Sequence, residues 1–211
     1  MTHIAHSEKI LVMRIFLTVL VLIFSLQSWT KADDIRDFEI EGISIGDSLL
    51  DHFDNSSIVN AKKSKYSLWY KNKKFIQVGA GKNYPLDKTL NNYDDLSIIF
   101  KPDDINYIIY SIGGRIFCEN INECKKQKNK IDTDIKSIFK DKVTIQKDDA
   151  PHDADPSGNS QTYTTFFFFN SSNDYVEVSV YDWSNDMNYP DNLKVQIVGE
   201  KFRYFLNNEQ Y

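Results

Sequence analysis

Apolar and polar residues alternate most regularly in the last third of the chain. In YVEVSVYDWS (175–184) Val176, Val178 and Val180 share one face, and in LKVQIV (193–198) Leu193, Val195 and Ile197 do the same. Alternation over such short runs predicts strands with one buried and one more polar face, as in antiparallel sheet. QTYTTFFFFN (161–170) precedes them, and turn residues fall at 171–174 and around Tyr189-Pro190-Asp191, so this region reads as a meander. DLSIIFK (95–101) also alternates, with Leu96, Ile98 and Phe100 expected inward. KYSLWYK (65–71) and KFIQVG (74–79) flank Asn72-Lys73 as a hairpin, and 80–93 is a polar loop. YIIYSIGGRIFC (107–118) is rich in Ile and Tyr, which suit a pleated surface, and Gly113-Gly114 within it predicts a bulge.

A 3.6-residue period takes over after that strand. Ile121, Cys124, Ile131, Ile135, Ile138 and Phe139 fall on one face, and Asn120 with Glu123 resembles a capping pair, so a long helix is predicted. Lys125 to Lys130 (KKQKNK) would be its wet face. Residues 33–46 read as a short edge strand or an extended lead-in. Gly46 then opens a short helix, Asp47 to Phe53, expected to bury Leu49, Leu50 and Phe53, with another helical turn in 54–61. Val143 to Gln146 reads as a brief strand. The acidic stretch 147–160 (KDDAPHDADPSGNS) reads as a loop and as the best internal boundary. Glu200 to Asn207 closes the chain as a helix through Phe202, Phe205 and Leu206. The expectation is an α+β fold: mainly antiparallel sheet, made of hairpins and a C-terminal meander, with one long central helix and short N- and C-terminal helices.

The N-terminus changes the setting. Met13-Arg14 followed by the apolar run Ile15–Phe24 and a polar stretch to Ala32 has the layout of a secretory leader, with cleavage expected after Ala32 and Met13 as an alternative start. Residues 33–211 then form a single domain, exported to the periplasm or beyond the cell, and not membrane-spanning. Without Lys9, Arg14, Lys31 and Glu8, the 25 basic and 30 acidic residues become 22 and 29, a net charge of −7. An acidic domain without a clustered positive surface argues against nucleic acid as a partner. Two cysteines in an exported chain suit a disulfide, Cys118–Cys124, which would tie the strand to the helix; their spacing fits neither Cys-x-x-Cys redox chemistry nor a zinc site.

Two short matches carry catalytic chemistry. Gly46-Asp47-Ser48-Leu49 resembles the signature of the GDSL, or SGNH, hydrolases. That resemblance implies Ser48 as nucleophile, His152 of Asp149-Ala150-Pro151-His152 as base, Asp149 as its orienting carboxylate, and Gly81 and Asn83 at the oxyanion hole. The chain departs from the family in having Tyr84 after Asn83, and in alternating before Ser48 where the family has a continuously apolar strand. Read from the residues alone, Asp47 and Ser48 are first-turn residues of a helix. Gly42-Ile43-Ser44-Ile45-Gly46 matches a nucleophile elbow but lacks the preceding wound sheet.

Asp153-Ala154-Asp155-Pro156-Ser157-Gly158 resembles the front of a calcium loop, yet Thr164 stands where the acidic twelfth ligand belongs, so a solvated turn is expected. His52 and His152 are too few for a histidine metal centre, and no cofactor is implied. Asn55-Ser56-Ser57 and Asn170-Ser171-Ser172 match the glycosylation triplet, with turn chemistry as the other reading. Trp69, Tyr70, Tyr181 and Trp183 lie near strand ends, where aromatics either pack the sheet or line a shallow site for sugar or peptide. The expected function is a non-catalytic domain that binds a ligand or an envelope protein, with a serine esterase through Ser48, Asp149 and His152 as the alternative.

Overall fold

A computed structural model describes residues 35–210. Eight strands form one sheet in the order β1-β2-β3-β4-β8-β7-β6-β5, and every neighbouring pair is antiparallel. The strands are β1 (Leu68–Trp69), β2 (Ile76–Ala80), β3 (Asp95–Phe100), β4 (Ile109–Phe117), β5 (Val143–Pro151), β6 (Gln161–Phe169), β7 (Tyr175–Asp182) and β8 (Asn192–Val198). The first four step in sequence from one edge to the centre. Helix α2 (Ile121–Phe139) then carries the chain to the far edge, and the last four return until β8 lies against β4. The α+β expectation holds, with α1 (Asn55–Lys62) and α3 (Glu200–Asn208) as the shorter helices. The described residues cluster as one compact unit. The leader expected over residues 1–32 lies outside the described residues.

Each strand presents alternate residues to two faces. One face is aliphatic. Val176, Val178, Val180, Leu193, Val195 and Ile197 are all fully buried there, and α2 packs against β7 and β8. Ile76, Val78, Leu96, Ile98 and Ile112 continue this face across β2, β3 and β4, where α1 contacts β2. The lead-in segment makes no sheet strand. It turns at Ile35–Asp37, doubles back through the Ile40–Ile43 bridge, and buries Phe38 against Phe139.

Among the described residues, the opposite face is covered at one end only. There α3 sets Phe202 and Phe205 against Phe75, Ile99 and Val198, with Tyr70, Tyr110 and Tyr175 around them. This is why Ile99 is buried although strict alternation in DLSIIFK assigned it to the polar side. Such a cluster is worth about 1.5–3 kcal/mol per large apolar side chain.

Several local expectations are corrected. The bulge lies at Tyr110, because Ile99 pairs with Ser111 while Phe100 pairs with Ile109; Gly113 and Gly114 pair regularly. Gly114 instead admits the Tyr93 ring, which would lie 2.4 Å from a Cβ at that position. The predicted turn at Asn72-Lys73 stands, with φ of 56° and 54°. Asp47 to Phe53 contains only a 3₁₀ turn, Leu49–Asp51, which leaves Leu50 40% exposed, whereas 55–62 is a full α-helix. Strand β5 runs on through Pro151, paired with β6 along its whole length, so the polar loop starts only at His152 and one sheet continues across the expected boundary.

The wet face expected for KKQKNK fails at Lys128. Its side chain is 7% exposed, and its ammonium donates to Asp132 Oδ2 at 2.8 Å and to the Thr165 hydroxyl. Thr165 donates to the same carboxylate oxygen, and Asp132 Oδ1 is buried without a partner. The spacing of Lys128 and Asp132 places both above β6, where Thr165 supplies the polar contact that keeps the pair inside.

Candidate functional site

The uncovered half of the second face is polar. Across β3, β4, β8 and β7 the pairs Asp95–Arg115, Arg115–Lys194 and Lys194–Ser179 run in one line, with Ser97–Gly113–Gln196–Glu177 beside it. Gly79 leaves room on β2 for the Tyr84 ring to lie on this face, since a Cβ there would meet the ring at 2.1 Å. Two loops build a wall at the edge. The result is a groove of about 410 Å³ whose lining includes Gln77, Ser97, Arg115, Lys194 and Asn192 below, and Phe117, Tyr181, Trp183 and Tyr189 around them.

Arg115 and Lys194 sit opposite one another but are held differently. The Arg115 guanidinium forks onto Asp95, with Nε to Oδ1 and Nη2 to Oδ2 both at 2.7 Å. Tyr84 donates to Asp95 Oδ2 at 3.0 Å and accepts from Arg115 Nη2 at 3.4 Å. Burial pulls the Arg115 pKa down, but the hydrogen bonds and charge of Asp95 more than offset this and leave it raised. Burial, with Asp95 alongside, raises the Tyr84 phenol.

Lys194 is half-buried, and among the described residues no carboxylate lies at ion-pair distance from its ammonium. Burial favours its neutral form; Tyr181, Glu177 and Tyr70 outweigh burial and keep the group charged, with its pKa above the usual lysine value. Like charges opposite each other on adjacent strands destabilise a sheet. Asp95 relieves Arg115 and leaves Lys194 as the available cation.

Asn192, two residues along β8, is 5% exposed. Its Nδ2 donates to Pro190 O at 3.1 Å, and its Oδ1 is a buried acceptor without a donor. An acceptor left so costs about 1–3 kcal/mol. Gln196, by contrast, is satisfied through Ser111 Oγ at 2.9 Å.

The wall is fixed from behind. Asp155 is 6% exposed and accepts from Ser157 N and Oγ, Ser160 N and Oγ, and Ser184 Oγ. The Ser160 and Ser157 hydroxyl bonds lead in holding its carboxyl well below the usual range. Ser184 thereby ties the end of β7 to the 152–160 loop, and Trp183 N donates to Asp191 Oδ1 at 2.8 Å. Trp183 stacks with Tyr181 (ring centroids 5.9 Å apart, planes at 12°) and meets Tyr189 edge-on at 5.1 Å. Beyond Phe117, Cys118 and Cys124 come to disulfide distance, with Cα atoms 6.0 Å apart, and Cys118 N donates to Asp191 O. The strand end, the helix start and the loop bearing Tyr189 thus meet at one point.

The residues of the hydrolase resemblance do not converge. Ser48 caps the 3₁₀ turn, accepting from Leu50 N and donating to Asn106 O at 2.6 Å, and it bridges Ile108 at the start of β4. His152 lies beyond the other end of β4, its ring 4.4 Å from Trp183, with Nδ1 accepting from Ala154 N. At about 3.3 Å per residue, the length of β4 alone puts about 30 Å between them. Asp149 is exposed on β5, and Asn83 is exposed in the β2–β3 loop. In the stretch resembling a calcium loop, Asp155 is occupied by its own loop's serines. Trp69 stands exposed at the β1 edge and Tyr70 joins the α3 cluster, so of the four aromatics singled out only Tyr181 and Trp183 line the groove.

Arg115, Lys194, Asp95 and Asn192 are not distinguished by any motif. Alternation does place Lys194 and Gln196 opposite Leu193, Val195 and Ile197, which was the available signal. That β4 lies beside β8 was not available from it.

A wider depression of about 830 Å³ lies beside α3, but its four lysines (73, 74, 101, 201) are matched by Asp103, Asp104, Glu200 and Glu209. Among the described residues, no helix is long and apolar enough to cross a membrane. Comparison with family models, with curated proteins and with solved structures returns no match.

Proposed function

We propose that the protein is an exported, non-catalytic binding domain of the cell envelope that holds its ligand in the groove between Arg115, Lys194, Asn192 and the Trp183 wall. The observation that carries this reading is Lys194, outside any ion pair among the described residues, on the floor of a groove walled by Trp183 and Tyr189, on the half of the sheet that no described helix covers. Polar groups kept at a cost to stability mark functional surfaces more often than structural ones. The aromatic wall supplies contact area that a shallow polar site otherwise lacks.

Export rests on the leader and on the Cys118–Cys124 pair, which we take to be a disulfide formed outside the cytosol. N-terminal sequencing of exported protein should begin at Asp33, whereas intact leader in the membrane fraction would replace release with anchoring.

Trp183 supplies its own reporter. With Trp69 changed to Phe, residues 33–211 contain a single tryptophan, and a bound groove ligand should shift its emission. A ligand whose binding registers by calorimetry and leaves that emission unchanged would move the site elsewhere. A fluorophosphonate probe should leave Ser48 unlabelled; labelling lost in Ser48→Ala would restore the esterase reading.

A further inference from the structure

We infer that the groove takes an acidic saccharide, with the carboxylate of one sugar on the Lys194 ammonium and its hydroxyls on the polar floor beside it. This rests on the groove being the binding site. The chemistry of the lining narrows the ligand class. Among the described residues Lys194 is the one cation of the floor outside an ion pair, so the site offers one positive charge to a ligand. A carboxylate matches it; phosphate recognition favours an Arg fork or a helix N-terminus, and the Arg115 fork is taken by Asp95.

No free anion is available for a cationic group. Asp95 is bound by Arg115 and Tyr84, and no carboxylate is among the residues that line the groove, which disfavours amino acids and peptide N-termini. Around Lys194 the floor offers Gln77 and Ser97 as partners for sugar hydroxyls. Beside them Trp183 and Tyr189 present aromatic surface, and an apolar sugar face stacks on such rings. The floor itself carries Gln77, Ser97 and Asn192 where a lipid chain would need apolar side chains.

Isothermal titration of residues 33–211 separates these possibilities. The probes are a three-residue oligouronate, the same oligomer reduced at its carboxyls, and an acidic tripeptide. The oligouronate should bind, and the reduced oligomer should bind about ten-fold more weakly or worse. Lys194→Met should bring the oligouronate down to the level of its neutral counterpart, and Trp183→Ala should abolish both. Equal binding of the acidic and neutral oligomers, or no effect of Lys194→Met, would overturn carboxylate recognition; loss of both in Trp183→Ala would still leave the groove as the site. Binding of the peptide and not the saccharides would overturn the inference and keep the groove. Binding of none of the three would also overturn it, while the Trp183 emission screen tests the groove independently.

Discussion

The two faces of the sheet are drawn from alternate residues of the same strands, yet they do opposite things. On β8, Leu193, Val195 and Ile197 are sealed under α2, while Asn192, Lys194 and Gln196 look the other way into a half that no helix covers. The helix-covered face is almost wholly apolar, with the Lys128–Asp132–Thr165 cluster as its most buried polar exception. The other face divides: aromatics under α3 at one end, a polar groove floor at the other, with Asn192 Oδ1 buried and unmet. Burial on one side supplies the stability that lets half of the opposite side remain polar and open.

The sharpest way to break this contrast is to compare truncations on the two sides. Phe139 is 1% exposed and touches the Phe38 and Phe169 rings, so Phe139→Ala should cost about 3–5 kcal/mol in urea unfolding. Trp183→Ala, at the groove wall, should cost under about 1 kcal/mol. A reversed ranking would make the groove wall part of the core.

Lys128 sharpens the same contrast from within the aliphatic face. Lys128→Ala strands the Asp132 carboxylate and should destabilise by about 3 kcal/mol. The double change Lys128→Met with Asp132→Leu should recover most of that, because an apolar pair of similar volume suits the surroundings. Failure to recover would mean that the ion pair specifies the seat of α2.

Next in size is the cysteine pair. Thiol titration of denatured, unreduced protein should find no free thiol, and replacing both cysteines by serine should cost about 2–2.5 kcal/mol on the loop-entropy account. Two free thiols would refute the bond.

Asp155 gives a smaller effect that depends on pH. Its folded pKa is depressed, chiefly by the Ser160 and Ser157 hydroxyls, so the carboxylate contributes stability above the ordinary carboxyl pKa of about 4 and loses it as pH falls toward the lower folded value. Asp155→Asn should therefore flatten the acid limb of the stability profile. An unchanged limb would show that the ring of serines does not hold the wall.

Half of this contrast was legible in the residues. Val176, Val178 and Val180, with Leu193, Val195 and Ile197, announce the aliphatic face by period alone, and the stripe from Cys124 to Phe139 announces the helix that covers it. Lys128 was not legible, since burial of an ammonium depends on Thr165 arriving from β6. The hydrolase resemblance offered Ser48 and His152 by local spelling, and the sheet places them beyond opposite ends of β4. The groove stayed hidden because its key pairs, Asp95–Arg115 and Arg115–Lys194, are matters of register between strands up to 80 positions apart, and register follows from pairing and not from any one strand's pattern. Trp183 and Tyr181 were the only members of the site that the sequence singled out.

The central claim is that the open half of the sheet keeps polar groups for a ligand and not for the fold. Urea unfolding of Asn192→Leu tests it most directly. The substitution removes a buried acceptor that no donor meets, and relief of its cost of about 1–3 kcal/mol should offset loss of the one Nδ2–Pro190 O bond, so stability should be unchanged or higher. A loss of more than about 1 kcal/mol would contradict the claim and make Asn192 a structural fixture of β8.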